Sequence, residues 1–105
     1  MLRIYDDMLQ AIAVARPLIR AIAEQDRDLG NQLTRAAQSV ALNLAEGSGS
    51  AGGVRRARYR TALGSARETV ACLQVAERFG YIPPMPQALL ALMNRVIGTL
   101  VRLTT

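Results

Sequence analysis

The sequence contains no histidine, no lysine and no tryptophan, and its 105 residues include a single cysteine, Cys72. One cysteine cannot close a disulfide within the chain. Without histidine, the ligands that usually hold zinc or iron are missing as well, so we predict neither a metal site nor a cofactor. Cys72 lies among apolar residues of a predicted helix, which favours a buried, unreactive thiol.

Long apolar runs are also missing. No stretch of about 18 residues is both apolar and free of charge, so the sequence predicts no membrane span. The first residues include Asp6 and Asp7 and show no cleavable signal pattern, which gives a cytoplasmic location as the expectation. Aromatic residues make up only 4% of the chain, too few to predict a surface on which nucleobases stack.

The charge of the chain is carried by one kind of cation. All 13 basic residues are arginine, and the formal net charge is +5. Arginine forms bidentate contacts with phosphate, which suits a nucleic-acid surface. A GC-rich coding sequence would give the same bias without any function, so composition leaves both explanations open.

The positions of the apolar residues predict helices only. They recur every three or four residues, and no useful length alternates with a period of two. We predict an all-α, antiparallel up-down-up-down four-helix bundle that forms one domain over residues 1–105. The predicted helices span 3–24, 28–46, 54–79 and 86–103, with signals for their ends at Asp26 or Asp28, Gly47, Gly80, Pro83-Pro84 and Pro86.

A glycine-rich segment, residues 47–53, separates the second and third predicted helices. Glycines also build loops that cradle nucleotide phosphates. However, the Gly-Lys-Ser/Thr ending is missing here and no strand precedes the segment. We interpret it as a flexible connection.

A line of polar side chains runs along the second predicted helix at spacings of three or four residues, which places them on one face. It includes Arg35, Ser39, Asn43 and Glu46. These side chains either contact a ligand or RNA, or hydrogen-bond to one another and to a facing helix. We interpret them as a structural network that also includes Ser65 and Glu68 of the third helix, in which Arg35 could pair with Glu46.

The third predicted helix carries a row of cations. Arg56, Arg60, Arg67 and Arg78 project within about 40° of one another and span about 33 Å, and Arg55 and Arg58 add charge near the helix start. Cations are unfavourable at this end of a helix dipole, which suggests an anionic partner, either nucleic acid or the acidic side chains of a neighbouring subunit or another protein. The alternative is a solvated helix face without a partner.

Apolar residues cover about half the circumference of the fourth predicted helix, more than one seam of a bundle needs. We therefore expect an interface between copies of the chain that includes Leu90, Ile97 and Val101, whereas Arg95 and Arg102 mark the helix's wet face.

Three segments resemble the small bacterial family of four-helix-bundle proteins, also called 23S rRNA intervening-sequence proteins. Residues 35–47 are similar to the family's Arg-Ala-x-x-Ser-(aliphatic)-x-x-Asn-(aliphatic)-Ala-Glu-Gly pattern. Residues 62–69 resemble its Ala-x-Gly-Ser-x-x-Glu segment, and residues 76–82 its Ala-x-x-Leu-Gly-Tyr-(aliphatic) turn.

The resemblance implies an antiparallel four-helix bundle that assembles into a ring, commonly a pentamer, and it implies no enzymatic activity. Similar folds serve as accessory proteins of diversity-generating retroelements, where a basic surface contacts nucleic acid and a reverse transcriptase.

The sequence favours a binding module over an enzyme. Ser39 and Ser65 have no histidine to activate them, and the carboxylates resemble helix caps and surface charges. We expect a non-catalytic, homo-oligomeric accessory protein that binds RNA or DNA through Arg55, Arg56, Arg58, Arg60 and Arg67. The alternative is a protein-interaction scaffold without nucleic-acid binding.

Overall fold

A computed structural model describes residues 2–105 and contains four helices. They are α1 Arg3–Gln25, α2 Arg27–Ser48, α3 Gly52–Arg78 and α4 Gln87–Thr104. No strand occurs in this part of the chain. The all-α prediction is confirmed, and each predicted helix lies within two residues of its observed bounds.

The helices form a closed square: α1 packs against α2, α2 against α3, α3 against α4, and α4 against α1. Two of the contacts between α2 and α3 show their relative direction: Gln32 to Glu68 and Glu46 to Arg58. Later residues of α2 therefore meet earlier residues of α3, so the two helices are antiparallel. The start of α3 likewise reaches the last turn of α4.

The apolar stripe of every helix points into one core. Fully burying a side chain such as leucine contributes about 1.5–3 kcal/mol, so this core is the main source of stability. The largest side chains exposed by less than 2% are Met8, Ile22, Leu33, Val40, Leu44, Leu73, Leu89, Met93, Val96 and Leu100. No helix within residues 2–105 is long and apolar enough to cross a membrane.

The helix ends follow local chemistry. Asp26 begins α2, and its side chain accepts a hydrogen bond from the backbone N–H of Leu29 at 3.0 Å. The end of α3 depends on Gly80, whose φ of +76° is accessible to glycine at little cost. The N–H groups of Gly80 and Tyr81 then bond back to Glu77 and Ala76, which satisfies the last carbonyls of α3.

Gly47 does not end α2 as predicted. The helix continues to Ser48, and Gly47 is buried inside it against the ring of Tyr59 on α3. A Cβ atom at Gly47 would lie 2.7 Å from Cδ1 of Tyr59 and closer still to Cε1. The glycine is therefore required by the close approach of two helices. The connection outside the helices shrinks to residues 49–51.

One charged side chain is buried between α1 and α4. Asp7 of α1 is only 6% exposed, and both of its carboxylate oxygens accept hydrogen bonds from Arg95 of α4, at 3.1 and 3.3 Å. The hydrogen bond and the attraction of Asp7 raise the pKa of Arg95. A buried carboxylate is costly unless paired, so this bond fixes α4 against α1.

We predict that Gly47→Ala destabilises the fold by about 1–3 kcal/mol, because the added methyl group overpacks the contact with Tyr59. Urea unfolding followed by circular dichroism measures the change. Gly64→Ala in α3 is the matched control: its added methyl group would meet nothing within 4 Å, so it should be neutral or stabilise by up to about 1 kcal/mol. Equal stability of Gly47→Ala and the wild type would contradict the packing argument.

Candidate nucleic-acid interface

The arginines of α3 occupy two different edges of the helix. Arg58 forms a salt bridge of 3.0 Å with Glu46, so its edge faces α2. Arg56 donates to the carbonyl oxygen of Thr104 at 3.2 Å, so its edge faces α4. Arg60 and Arg67 project along nearly the same direction as Arg56 and therefore lie on the α4 side.

Besides Arg56, two more of the predicted binding residues have partners within the chain. Nε of Arg55 donates to the carbonyl oxygens of Gly47 and Ser50, which ties the end of α2 to the start of α3. The Glu46 partner of Arg58 neutralises its charge, although both side chains are about half exposed. Neither residue is as available to an outside phosphate as the sequence suggested.

Arg60 and Arg67 are exposed and have no ion pair or side-chain hydrogen bond within the described residues. Their surroundings supply little negative charge, because residues 47–67 and 78–105 contain neither aspartate nor glutamate. Glu68 accepts a hydrogen bond from Gln32 on the α2 side, and Glu77 lies in the last turns of α3. The edge of α3 that faces α4 is therefore a basic strip, which we define as Arg56, Arg60 and Arg67.

Part of the predicted polar network is one connected group between α2 and α3. The amide nitrogen of Asn43 donates to the carbonyl oxygen and Oγ of Ser39, at 2.9 and 3.1 Å. Oγ of Ser39 lies 2.7 Å from Oγ of Ser65. All three residues are half-buried, and the serines let the two helices approach closely. These bonds fix how α2 lies along α3.

The proposed pairing of Arg35 with Glu46 is wrong. The two residues lie on one helix three turns apart, about 16 Å along its axis, which exceeds the reach of their side chains. Glu46 instead pairs with Arg58 of α3. Arg35 is exposed and lines a polar groove of about 440 Å³ together with Asp28, Asn31, Gln32 and Glu68.

Cys72 is buried, at 3% exposure, and remains a free thiol. Loss of solvation raises its pKa, and the negative charge of Glu68 raises it further. The thiolate is therefore scarce at neutral pH, and the sulfur is not a nucleophile in the folded protein.

Comparison with known proteins agrees with this architecture. The family model described as "23S rRNA-intervening sequence protein" matches residues 2–102. A crystal structure of a protein of unknown function from Bacteroides thetaiotaomicron, assigned to the S23 ribosomal protein family, superposes with a TM-score of 0.79. It is 17% identical, and the match covers 97% of this chain and 98% of that one, which shows a shared fold. No curated protein gives a significant match.

We predict that Asn43→Ala lowers the free energy of unfolding by about 1–2 kcal/mol, because it removes two half-buried hydrogen bonds to Ser39. Glu46→Ala should cost less than about 1 kcal/mol, since its salt bridge is solvent-exposed. Thermal and urea unfolding measure both, with the exposed Gln38→Ala on the same helix as control. A larger cost for Glu46→Ala than for Asn43→Ala would overturn this ranking.

Proposed function

Because the chain belongs to the family of 23S rRNA-intervening sequence proteins, we propose that it is a non-catalytic, homo-oligomeric accessory module that binds nucleic acid. The basic strip of α3 is the contact surface, and it recognises the phosphate backbone of RNA or DNA with little choice of sequence.

The absence of nearby acidic residues at the basic strip is the observation that supports this proposal. Arg60 and Arg67 stand exposed on an edge whose neighbouring helix, α4, contains no carboxylate. Guanidinium groups on a rigid helix can contact successive phosphates, and such contacts supply most non-specific affinity. Arg56 can assist, although one of its nitrogen atoms already donates to Thr104.

The structural roles of the carboxylates favour binding over catalysis. Asp26 caps α2, Asp7 holds Arg95, and Glu46 pairs with Arg58. A general acid or base needs a carboxyl group directed at a substrate. These three carboxyl groups are directed at the protein's own backbone and cations instead.

Support for a homo-oligomer comes from α4. Leu90, Ile97 and Val101 project on one side of α4 and are only half-buried in a single chain. A second copy of the chain that covers these side chains would bury the remaining apolar area. The basic strip would then border the interface, and each added subunit would bring another strip, which raises avidity for a long nucleic acid.

We predict that the double variant Arg60→Gln/Arg67→Gln binds RNA and DNA oligonucleotides at least tenfold more weakly than the wild type, whatever their sequence. Fluorescence anisotropy at several salt concentrations measures the affinity. The slope of log affinity against log salt should also become shallower, because fewer phosphate contacts release fewer counterions.

Arg16→Gln/Arg20→Gln is the matched control, since it removes the same charge from exposed positions on α1. It should retain most of the wild-type affinity. An equal loss of affinity in both variants would show that net charge alone, and not the basic strip, determines binding. If the wild type fails to bind at low salt, the protein is a scaffold for other proteins and the proposal is wrong.

We predict a multiple of the 11.4 kDa chain mass in light scattering, with five copies as the number implied by the family resemblance. Leu90→Gln/Val101→Gln should lower that mass, whereas Leu42→Gln, at an exposed position on α2, should leave it unchanged. A wild-type mass of one chain at all concentrations would rule out the oligomer.

A further inference from the structure

A second basic region lies on the opposite flank of α4, where the first turns of α1 meet the outer side of α4. It is an open cleft of about 650 Å³. The residues that line it include the half-buried Leu2 and the buried Ile4. Three guanidinium groups line it, those of Arg3, Arg95 and Arg102. A volume of this size accommodates a small organic ligand.

The position of each cation on α4 is restrained. Arg95 is held by its two hydrogen bonds to the buried carboxylate of Asp7, yet its side chain remains 54% exposed. Arg102 donates to Oγ1 of Thr99, which directs its guanidinium along the helix surface. Arg95 and Arg102 stand two helical turns apart, about 10 Å along α4.

Asp7 is the one acidic residue among those that line the cleft, and both of its oxygens already accept from Arg95. Three cations and one carboxylate leave a formal charge of +2. This excess positive charge lines one cleft. Its guanidinium groups come from two helices, so an anion bound there can contact cations from both sides.

From this arrangement we propose that the cleft between α1 and α4 binds a phosphorylated ligand of nucleotide size. Its phosphates lie between Arg3, Arg95 and Arg102, and its organic part packs against Leu2. The site is separate from the basic strip, because α4 stands between them, and it does not depend on the function proposed for that strip.

The number and origin of the cations favour phosphate over a single carboxylate. Arg3 comes from α1, and Arg95 and Arg102 come from α4, so a di- or triphosphate chain offers anionic oxygens to more of them than one carboxylate can. The same chemistry occurs in a free nucleotide and in the backbone of a nucleic-acid strand. Both sources present phosphate esters beside an apolar base.

Calorimetric titration of the full chain with ATP, pyrophosphate and adenosine tests the site. ATP should bind, pyrophosphate should bind more weakly, and adenosine should not bind. Arg3→Gln/Arg102→Gln should lower the affinity for ATP at least tenfold. Arg16→Gln/Arg20→Gln makes the same change of charge outside the cleft and should leave that affinity unchanged. Arg95 is left intact in this test because its removal would strand the buried carboxylate of Asp7.

Lack of ATP binding to the wild type would overturn the proposal, as would an equal loss in both double variants. If adenosine bound as strongly as ATP, the phosphates would not contribute to binding. If pyrophosphate bound as strongly as ATP, the organic part of the ligand would not contribute. Either result would contradict the proposal. If ATP displaces a bound oligonucleotide, and Arg3→Gln/Arg102→Gln weakens the binding of that oligonucleotide, the site is supported and a nucleic-acid strand is the source of the phosphate. If ATP binds but the variant leaves oligonucleotide binding unchanged, the site is supported and its ligand is a free nucleotide.

Discussion

The alignment of α2 along α3 determines where the arginines of α3 stand. It is fixed at the middle of the pair by Ser39 and Ser65, whose oxygens are 2.7 Å apart, and at one end by the ring of Tyr59 on Gly47. A shift of one residue would rotate α3 by about 100° relative to α2. Arg58 would then lose Glu46, and the basic strip would no longer lie beside the carboxylate-free helix α4.

The same alignment explains why arginines close together in sequence have different roles. Arg55 binds backbone carbonyls at the helix connection, Arg58 is neutralised across the α2–α3 seam, and Arg60 is open to solvent. Helical rotation separates them although they lie within six positions. A count of positive residues in this segment therefore overstates the charge that an outside anion would meet.

The helices and their class were predictable because apolar periodicity is a local property, and Asp26 and Gly80 act on their own backbone neighbours. Partner assignments across helices were not. Gly47 carries the sequence signal of a helix end, yet its role depends on Tyr59, which only the packing of α2 on α3 brings to it. The pairing of Glu46 with Arg58 and the meeting of Arg3 with Arg102 likewise depend on which helices are adjacent. The sequence placed Arg102 on a wet face but held no signal that α1 would form a wall beside it.

The meeting of Arg3 with Arg102 also has a practical consequence. These residues belong to the first and last turns of the described chain, so its two ends are neighbours in space. A purification tag or fluorescent label attached at either end would stand near the cleft, and the carboxylates of an acidic tag would compete there with an anion. A circular permutant that joins the ends through a short neutral linker, and opens the chain in residues 79–86, would keep the cleft unobstructed by fused sequence.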